Sequence, residues 1–360
     1  YRQRAPKVVV MKGAQMGVSE WVLDLALYTA DIGRAGRGTS LYVQPGGENV
    51  GDFVQGRVFP IIDQSEYLLT RVPQGGTKEP NKVGLRKVGK GFTYWRTAHV
   101  KGRGKANRSG LKSVPSDTLI LDEYDEMPAD TLALASHRLD SSNDPWTRII
   151  STPTFPGTGI EPEYLGGDQR RYFLTCPECD TAQPLEWASN VIVGPEGKRI
   201  RVCVRCRESL EDLIAAAWED ESLGEWRATN PEGTYPSYHI SQMYRPRIDL
   251  DEIHEVLTSS DITKRQEGHN QHLGLPFSPP GGQLSMEELT RAACAPFTLA
   301  DIAAAAHLSA IDYIGDVPWE EHEAAREWYA KVKSRHSFKP LLDDRLPGFT
   351  PAGHYEDVNF

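Results

Sequence analysis

The stretch Val8–Trp21, VVVMKGAQMGVSEW, decides the fold of this chain. Three β-branched residues form a short strand, a glycine-bearing turn follows, and Ser19 stands where a helix begins. This is the layout of a phosphate-binding loop. Val18, however, occupies the position at which such a loop usually carries its lysine. The stretch is therefore a damaged nucleotide site, a structural turn, or a variant whose lysine lies elsewhere.

Lys12, at the first position of the loop, offers the missing charge. If Gly17 and Ser19 match the last glycine and the hydroxyl of the usual loop, the chain curls around the phosphates and brings Lys12 back to them. Ser19 would then bind Mg²⁺, while backbone N–H groups and the helix N-terminus would hold phosphate oxygens. The loop alone also fits an ordinary strand-to-helix turn. The predicted nucleotide-contacting residues are Lys12, Gly13, Ala14, Gln15, Met16, Gly17, Val18, Ser19 and Glu20.

Two later strands end in polar residues. The run TLILDE ends in Asp122, which would hold the Mg²⁺ shell, and Glu123, which would activate the attacking water. The run TRIISTPT contains Ser151 and Thr152, which are predicted to sense the γ-phosphate and to transmit hydrolysis. Each run alone is also an ordinary strand end. Their order after the loop favours an NTPase with a translocase-type core over a kinase or a G protein.

Four of the five cysteines form two CxxC pairs, Cys176 with Cys179 and Cys203 with Cys206. With 23 residues between the pairs, the two turns can close a tetrahedral Zn²⁺ site. Four thiolates leave no open coordination position, so this predicted metal is structural. A redox role is disfavoured because there are two pairs and neither opens a helix after a strand. The fifth, Cys294, is predicted to be a buried free thiol.

Strand and helix patterns alternate along the first part of the chain, which predicts an α/β fold. The expected fold is a P-loop NTPase of the RecA/ASCE type, with a mainly parallel sheet flanked by helices and an inserted zinc ribbon. The predicted domains are the ATPase core at 1–170, the zinc ribbon at 171–210, a helical remainder with a Pro/Gly-rich linker at 211–295, and a C-terminal tail at 296–360.

The formal net charge of −10 argues against a surface coated in basic charge for nucleic acid. One basic cluster, KGRGKANR at 101–108, could line a DNA channel through phosphate contacts or could be a plain loop. The chain shows no apolar run of about eighteen residues and no signal segment, so a protein of a reducing compartment is expected.

Taken together, these motifs resemble the large terminase subunit of tailed phages, in particular the lambda-type GpA family. The resemblance covers Lys7–Phe277, and the order of the motifs is more specific than any one of them. In that family the loop lysine stands at the start of the loop, which Lys12 matches; Asp122 and Glu123 match Walker B with its catalytic glutamate, and Ser151 and Thr152 match the coupling motif. The quoted runs are KGAQMGVSE, YVQP, RSGLKSVPSDTLILDEYDEMP, STPT, CPEC, CVRC and HLGLPF.

The resemblance implies a motor that uses ATP and Mg²⁺ to drive double-stranded DNA through a portal into a procapsid. It places the protein in the host cytoplasm, at the portal vertex. The implied partners are the portal protein, the small terminase subunit and further copies in a pentameric ring. In such rings an arginine of the neighbouring subunit completes the site, and Arg57 and Arg103 are candidates.

The chain departs from the family pattern at both ends. Of the carboxylates of a C-terminal nuclease only Asp312 can be proposed, with Asp316 as a second candidate, so nuclease activity is expected to be absent from this chain. Either the protein is an ATPase-only half, for which a separate nuclease is a candidate partner, or the nuclease lies outside this sequence. The first residue, Tyr1, is not a methionine, and an N-terminal segment that would contact adenine is expected to be missing. The alternative functions are a helicase-like or remodelling ATPase with a zinc ribbon, and a non-catalytic zinc-ribbon protein that binds nucleic acid.

Overall fold

The computed structural model describes residues 4–36, 38–46, 50–73, 81–98, 111, 114–279, 299–335, 338–343, 345, 350–355 and 357. It divides the chain into two units, Tyr1–Ser278 and Pro279–Phe360. The division falls inside the stretch PFSPPGGQL, 276–284, for which the sequence predicts a linker.

The first unit is built on a mainly parallel sheet. Its strands are β1 (Lys7–Lys12), β2 (Thr39–Gln44), β3 (Asn81–Lys82), β4 (Leu85–Val88), β5 (Gly91–Thr97), β6 (Thr118–Asp122), β7 (Trp146–Ser151), β8 (Arg170–Thr175), β9 (Ala182–Pro184), β12 (Gly224–Arg227) and β13 (Ser237–Ile240). The order across the sheet is β12-β8-β13-β1-β7-β6-β2-β5-β4-β3, and β9 pairs with β8. The strands β10 (Val191–Val193) and β11 (Arg199–Arg201) form a separate antiparallel ribbon.

Helices cover the sheet and form the second unit. They are α1 (Val18–Gly36), α2 (Val50–Phe53), α3 (Phe59–Asp63), α4 (Glu66–Arg71), α5 (Thr131–Ser136), α6 (Ile160–Leu165), α7 (Trp187–Asn190), α8 (Glu211–Glu219), α9 (Leu250–Thr258), α10 (Ile262–Glu267), α11 (Leu299–Tyr313), α12 (Glu323–Lys333) and α13 (Lys339–Leu342). Two π-helical segments, Val54–Val58 and Gly268–Leu273, continue α2 and α10, and short 3₁₀ turns include Tyr124–Glu126 and Gln242–Tyr244.

The central strands are apolar because both faces of the sheet are covered. In β1, Val8 and Val10 enter the hydrophobic cluster on one face, while Val9 and Met11 enter the cluster on the other. All residues of β6 are buried in the same way. Strands buried on both faces are typical of parallel sheets with crossover helices. The predicted α/β fold with a mainly parallel sheet is confirmed.

The strand order brings the three predicted motifs to one edge. The strand β7, which carries the predicted sensor residues, lies between β1 and β6 and pairs with both in parallel, with Met11 opposite Ser151 and Asp122 opposite Ile150. The carboxyl ends of parallel strands meet at the same edge of a sheet, which is where ligands bind in α/β folds.

The sheet extends beyond residue 170, where the sequence predicts a zinc ribbon and then helices. The strand β13 lies beside β1 in parallel, in the middle of the sheet. It has four residues, and two of them, Ser237 and His239, are polar and buried. A strand this short, with polar residues in the core, carries no hydrophobic pattern that sequence reasoning could find.

In the described part of the second unit, the regular secondary structure is helical, and turns and loops connect the helices. Its helices α11 and α12 pack around a hydrophobic cluster that contains Trp319, Trp328, Tyr329 and Phe338. In neither unit does a described helix reach the length and apolarity needed to cross a membrane.

Candidate active site

Lys12 contacts one residue of the acidic strand end and one residue of the predicted sensor strand end. Its Nζ lies 2.8 Å from Oε1 of Glu123 and 3.4 Å from Oγ1 of Thr152. The lysine is only 4% exposed because it ends the central strand β1. The structure therefore brings the ammonium group of the loop, the acidic strand end and the sensor strand end into one cluster.

Ser19 and Asp122 form the second half of the site. The Ser19 hydroxyl donates to Oδ1 of Asp122 over 3.1 Å, and the Tyr42 hydroxyl donates to Oδ2. Burial raises the pKa of Asp122, although the hydrogen bond from Tyr42 opposes this shift. The pKa of Tyr42 is raised well above its usual value, first by burial and then by the charge of Asp122. A buried carboxylate of this kind is stabilised by a cation.

The two oxygens fit Mg²⁺. Adjacent ligands of an octahedral Mg²⁺ with bonds of 2.0–2.1 Å lie about 2.9 Å apart, close to the 3.1 Å between Ser19 Oγ and Asp122 Oδ1. Hydroxyl and carboxylate oxygens are also the hard ligands that this ion prefers. Ser19 and Asp122 are therefore the residues that would hold it.

The loop is closed by two residues in the left-handed region, Gln15 with φ 56° and Gly17 with φ 73°. These torsions turn the chain from the end of β1 into the start of α1. The loop residues Ala14, Gln15, Met16, Gly17, Val18, Ser19 and Glu20 line a cavity of about 810 Å³, together with Lys12, Asp122, Glu123 and Thr152. This volume lies within the range of small-molecule sites.

The first two N–H groups of the loop point away from that cavity. The N–H of Gly13 donates to the carbonyl of Ile240 over 2.8 Å, and that of Ala14 donates to the carbonyl of Gln271 over 2.7 Å. An added Cβ on Gly13 would lie 2.9 Å from the Gln271 oxygen, so the glycine permits a close backbone approach. The prediction that backbone donors from Gly13 onward hold phosphate is wrong for these two residues, because protein carbonyls already accept those hydrogens.

Glu123 is held in an unusual backbone conformation. Its φ and ψ are both 55°, a left-handed conformation that is rare for residues other than glycine, asparagine and aspartate. This bend directs the carboxylate back across the strand ends, where Oε2 accepts the N–H of Thr152 over 3.2 Å. Glu123 is thus fixed by the lysine on one side and by the sensor strand on the other.

Ser151 is not among the residues that line the cavity at the loop. Its hydroxyl accepts the N–H of Asp125 over 3.0 Å and donates to the carbonyl of Thr152. Asp125 in turn accepts the N–H and the hydroxyl of Thr154 over 2.8 and 2.9 Å, and the N–H of Ile160 over 2.6 Å. The prediction of a sensor at Ser151 is corrected by this geometry: the hydroxyl that faces Lys12 is that of Thr152, and Ser151 ties two loops together.

Arg57 lines the same cavity and lies on the π-helical segment Val54–Val58. Its Nη1 lies 3.6 Å from Oε1 of Glu20, and both side chains are about half exposed. The guanidinium therefore faces the cavity of its own chain. The other candidate, Arg103, the rest of the KGRGKANR cluster and Cys294 lie outside the described residues.

The four cysteines of the CxxC pairs form one cluster. The sulfur atoms lie within 4.8 Å of one another, with 3.6 Å between Cys176 and Cys206 and between Cys179 and Cys203. Four thiolates at 2.3 Å around a tetrahedral Zn²⁺ would lie about 3.8 Å apart. The cluster fits zinc in number, type and spacing of ligands.

Each CxxC turn ends in a left-handed residue, Asp180 with φ 55° and Arg207 with φ 65°. In each turn the N–H of that residue donates to the carbonyl of the first cysteine, Cys176 or Cys203. Although burial opposes it, backbone hydrogen bonds lower the pKa of Cys203 to about 6, whereas burial raises the pKa of Cys176, so without a metal the thiolate is favoured at Cys203 and disfavoured at Cys176. Two matched turns thus present four sulfur atoms to one point.

The possible nuclease role of Asp312 does not fit its surroundings. The carboxylate is fully buried; Oδ1 accepts the indole N–H of Trp319 over 2.8 Å and lies 2.8 Å from Nε2 of His354, and Oδ2 lies 3.4 Å from Nζ of Lys333. These contacts describe a structural carboxylate at the centre of a helical unit, without an open side for a metal ion.

Several residues around the site have no signal in the sequence. Tyr42 lies in an ordinary strand, and Gln242 reaches the loop from the turn after β13, where its Nε2 donates to the carbonyl of Ala14 over 2.9 Å. Gln271 contributes a main-chain carbonyl, which any residue could supply. The run HLGLPF, which follows Gln271, is the one pattern that could direct attention to this region.

Residues 1–226 match the family described as phage terminase large subunit gpA, ATPase domain. The ATPase domain of the Thermus phage P74-26 large terminase is 17% identical, over 76% of this chain and 90% of that domain, with a TM-score of 0.44.

The chain is also 62% identical to FtsZ-localized protein A of Caulobacter vibrioides over 202 residues, which are 53% of this chain and 86% of that protein. A glutathione S-transferase from Sinorhizobium meliloti 1021 is 40% identical over 21% of this chain, with a TM-score of 0.20; the match spans 36%, about a third, of the transferase.

Proposed function

Because the chain belongs to the phage terminase large subunit gpA ATPase family through residues 1–226, we propose that it hydrolyses ATP to drive double-stranded DNA through a portal into a procapsid. The observation that carries the proposal is the contact of Lys12 with Glu123 and Thr152 beside the Ser19–Asp122 pair. A phosphate-binding lysine, a general base, a sensor hydroxyl and two Mg²⁺ ligands then surround one cavity.

Hydrolysis assigns a distinct task to each of these groups. Glu123 accepts a proton from water as the water oxygen bonds to the γ-phosphorus and the bond to the β,γ-bridging oxygen breaks, which releases phosphate and ADP. Lys12 neutralises charge on the phosphate oxygens. When bound, Mg²⁺ neutralises charge on the β- and γ-phosphate oxygens.

The Lys12–Glu123 ion pair should open when ATP binds. A γ-phosphate competes with the Glu123 carboxylate for the single ammonium group of Lys12, because both are anions at the same cavity wall. Glu123 then remains hydrogen-bonded to the N–H of Thr152 and is available for water. The end of β7 would report the nucleotide state through this same bond.

The test compares ATP turnover and DNA packaging in the wild type, Lys12→Ala and Glu123→Gln, with Lys7→Ala as the matched control. Lys7 begins the same strand but pairs with Glu163, away from the cavity. We expect the first two variants to lose turnover and nuclease-protected DNA in procapsids, and the control to retain both. ATP turnover with strand separation in place of packaging would favour the helicase-like or remodelling alternative, and turnover that is absent or unchanged in every variant would favour the non-catalytic nucleic-acid-binding protein.

The partners and the location follow from the same proposal. The portal protein, the small terminase subunit and a pentameric ring of this chain would assemble at the portal vertex in the host cytoplasm, and a separate nuclease is a further proposed partner. Arg57 would contact nucleotide bound to its own chain, which leaves Arg103 as the candidate to act on a neighbour. In mixed rings, Arg57→Ala subunits should then fail to be rescued by Lys12→Ala subunits, whereas rescue would show that Arg57 acts across the interface.

A second function is favoured by the 62% identity to FtsZ-localized protein A. We propose that the chain also contacts FtsZ of the bacterial host through an apolar surface at the C-terminal end of α11, where Ile311 in the helix is 44% exposed and Ile314, directly after it, is 55% exposed. The full chain should co-sediment with FtsZ polymers, and Ile311→Glu with Ile314→Glu should abolish this without changing ATP turnover. Sedimentation that both substitutions leave intact would refute the contact.

A further inference from the structure

The main chain from Cys203 to Arg201, followed by hydrogen bonds through the turn Gln242–Arg245, joins the cysteine cluster to the phosphate loop. We propose that the zinc ribbon holds the loop in its nucleotide-binding shape, with Arg201 and Gln242 as the positioning residues. The effect on nucleotide rests on the proposed ATPase function, whereas the effect on the loop itself does not.

Arg201 is the link on the ribbon side. It lies two residues before Cys203, and its side chain is 1% exposed. Nη1 donates to the carbonyls of Met243 and Arg245, each over 2.8 Å, while Nε and Nη2 donate to the carboxylate of Glu211. The planar guanidinium spreads its donors over three nitrogens and so faces the carbonyls and the carboxylate from different atoms, whereas a lysine ammonium concentrates its donors on one nitrogen.

The position of Arg201 depends on the cysteine turn. Its carbonyl accepts the N–H of Leu210, so the residues on both sides of the Cys203–Cys206 turn are paired to each other. When a metal closes that turn, the main chain on both sides of it is fixed, and with it the positions of Arg201 and its partner Glu211. Loss of the metal would remove the bonds that tie the four sulfur atoms together and would release this constraint.

The turn Gln242–Arg245 passes the constraint to the loop. Gln242 Nε2 donates to the carbonyl of Ala14 over 2.9 Å, and Arg245 Nη1 donates to Oε1 of Gln15 over 3.3 Å. His272 Nδ1 lies 2.7 Å from Oε1 of Gln242, which fixes the orientation of the amide. Two consecutive loop residues are therefore held by side chains of one turn.

The turn has a second contact with the ribbon. The hydroxyl of Tyr244 accepts the N–H of Leu185 over 2.8 Å and donates to the carbonyl of Tyr172 over 2.5 Å. Tyr244 is 7% exposed, so these bonds are shielded from water. Arg201 and Leu185 thus fix the position of the turn through two separate contacts. Gln242 then connects the fixed turn to the loop.

The test uses Arg201→Lys, with Arg199→Lys as the matched control. Arg199 lies in the same strand and pairs with Asp251 over 2.6 Å, without contact to the turn. Both variants should retain about one zinc ion per chain. In Arg201→Lys, the Kd of a fluorescent ADP analogue should rise about tenfold, as expected for the loss of a buried hydrogen bond, while kcat at saturating ATP should stay near the wild-type value.

A readout without nucleotide separates this inference from the proposed function. Hydrogen exchange at the loop amides 15–19 should accelerate in Arg201→Lys and in Gln242→Met, but not in Arg199→Lys, in the nucleotide-free protein. The two substitutions act on one path, so their combination should weaken ADP binding little more than Gln242→Met alone. Wild-type exchange in Arg201→Lys, or independent effects on binding that multiply, would overturn the proposal even if the chain packages DNA.

Discussion

Protonation of His239 should destabilise the first unit as the pH falls. His239 lies in β13 and is 5% exposed, and its Nε2 lies 3.1 Å from the carbonyl oxygens of both Leu273 and Gly274. Burial, reinforced by the charge of Arg171, lowers the pKa of His239 to about 4. Gly274 packs against the backbone of Lys12, where an added Cβ would lie 2.7 Å from the carbonyl carbon, so this histidine supports the wall of the nucleotide site.

The size of the effect follows from proton linkage. A histidine in the unfolded chain has a pKa of about 6.5, so below that pH the unfolded state binds a proton that the folded state excludes, and the free energy of unfolding falls. At pH 5 the proton-binding terms of the two states differ about 30-fold, or about 2 kcal/mol, and the loss approaches about 3.4 kcal/mol below pH 4. The stability associated with the neutral ring is thus fully present above about pH 6.5 and is lost from there down to about pH 4.

Hydrogen exchange of the β1 amides, corrected for intrinsic rates, measures the opening of this unit. Between about pH 7.5 and pH 5 the opening free energy should fall by about 2 kcal/mol more in the wild type than in His239→Gln, whose amide group can donate to the same carbonyls without titrating. His137→Gln is the control, since His137 is exposed beside Asp140 and should leave the wild-type pH dependence unchanged. Equal pH dependence in the wild type and His239→Gln would refute the reasoning.

Three further substitutions test other parts of the molecule. Glu123→Gln should lower kcat by about 100-fold or more while ATP still binds, because an amide cannot accept the proton of water; a rate near that of the wild type would contradict the assigned base. Cys176→Ser should reduce bound zinc from about one ion per chain to almost none and should lower the thermal midpoint, and unchanged metal content would exclude the four-thiolate site. Lys333→Met should destabilise the second unit by about 3–5 kcal/mol in urea unfolding because it removes the cation paired with buried Asp312; the exposed Lys331→Met is the control, and equal stability of the two variants would show that the ion pair contributes little.

The strand-borne part of the site could be predicted because its physics is local. An apolar run long enough to form a buried strand, followed by Asp122 and Glu123, predicts both the strand and the polar groups at its end. The cysteine pairs are equally informative, since the ligand type and the spacing within each pair already define a tetrahedral site. In both cases a few consecutive residues contain the whole constraint.

The remainder depends on contacts between segments that are far apart in the sequence. Gln242 lies 228 residues from Ala14 in the sequence. The Gln271 contact uses a backbone carbonyl, which every residue type has, so the sequence cannot predict it. Ser151 shows the opposite difficulty, because its place beside Thr152 suggests a sensor whereas the pleat of β7 turns its hydroxyl towards Asp125. Adjacent strand residues point to opposite faces, so of two neighbouring hydroxyls only one can face the nucleotide.

The position of the lysine shows that such a site is recognised better from the residues that meet at one edge of the sheet than from a fixed spacing of residues along the loop. Lys12 ends β1, beside the ends of β7 and β6, so its ammonium group reaches Thr152 and Glu123 without help from the helix. Val18, at the usual lysine position, packs against the hydrophobic cluster between α1 and the sheet. A phosphate group in the cavity faces both the strand end and the helix start, and it requires a positive charge from only one of them. The apolar Val18 is therefore compatible with a complete site, because the charge enters the same cavity from the strand.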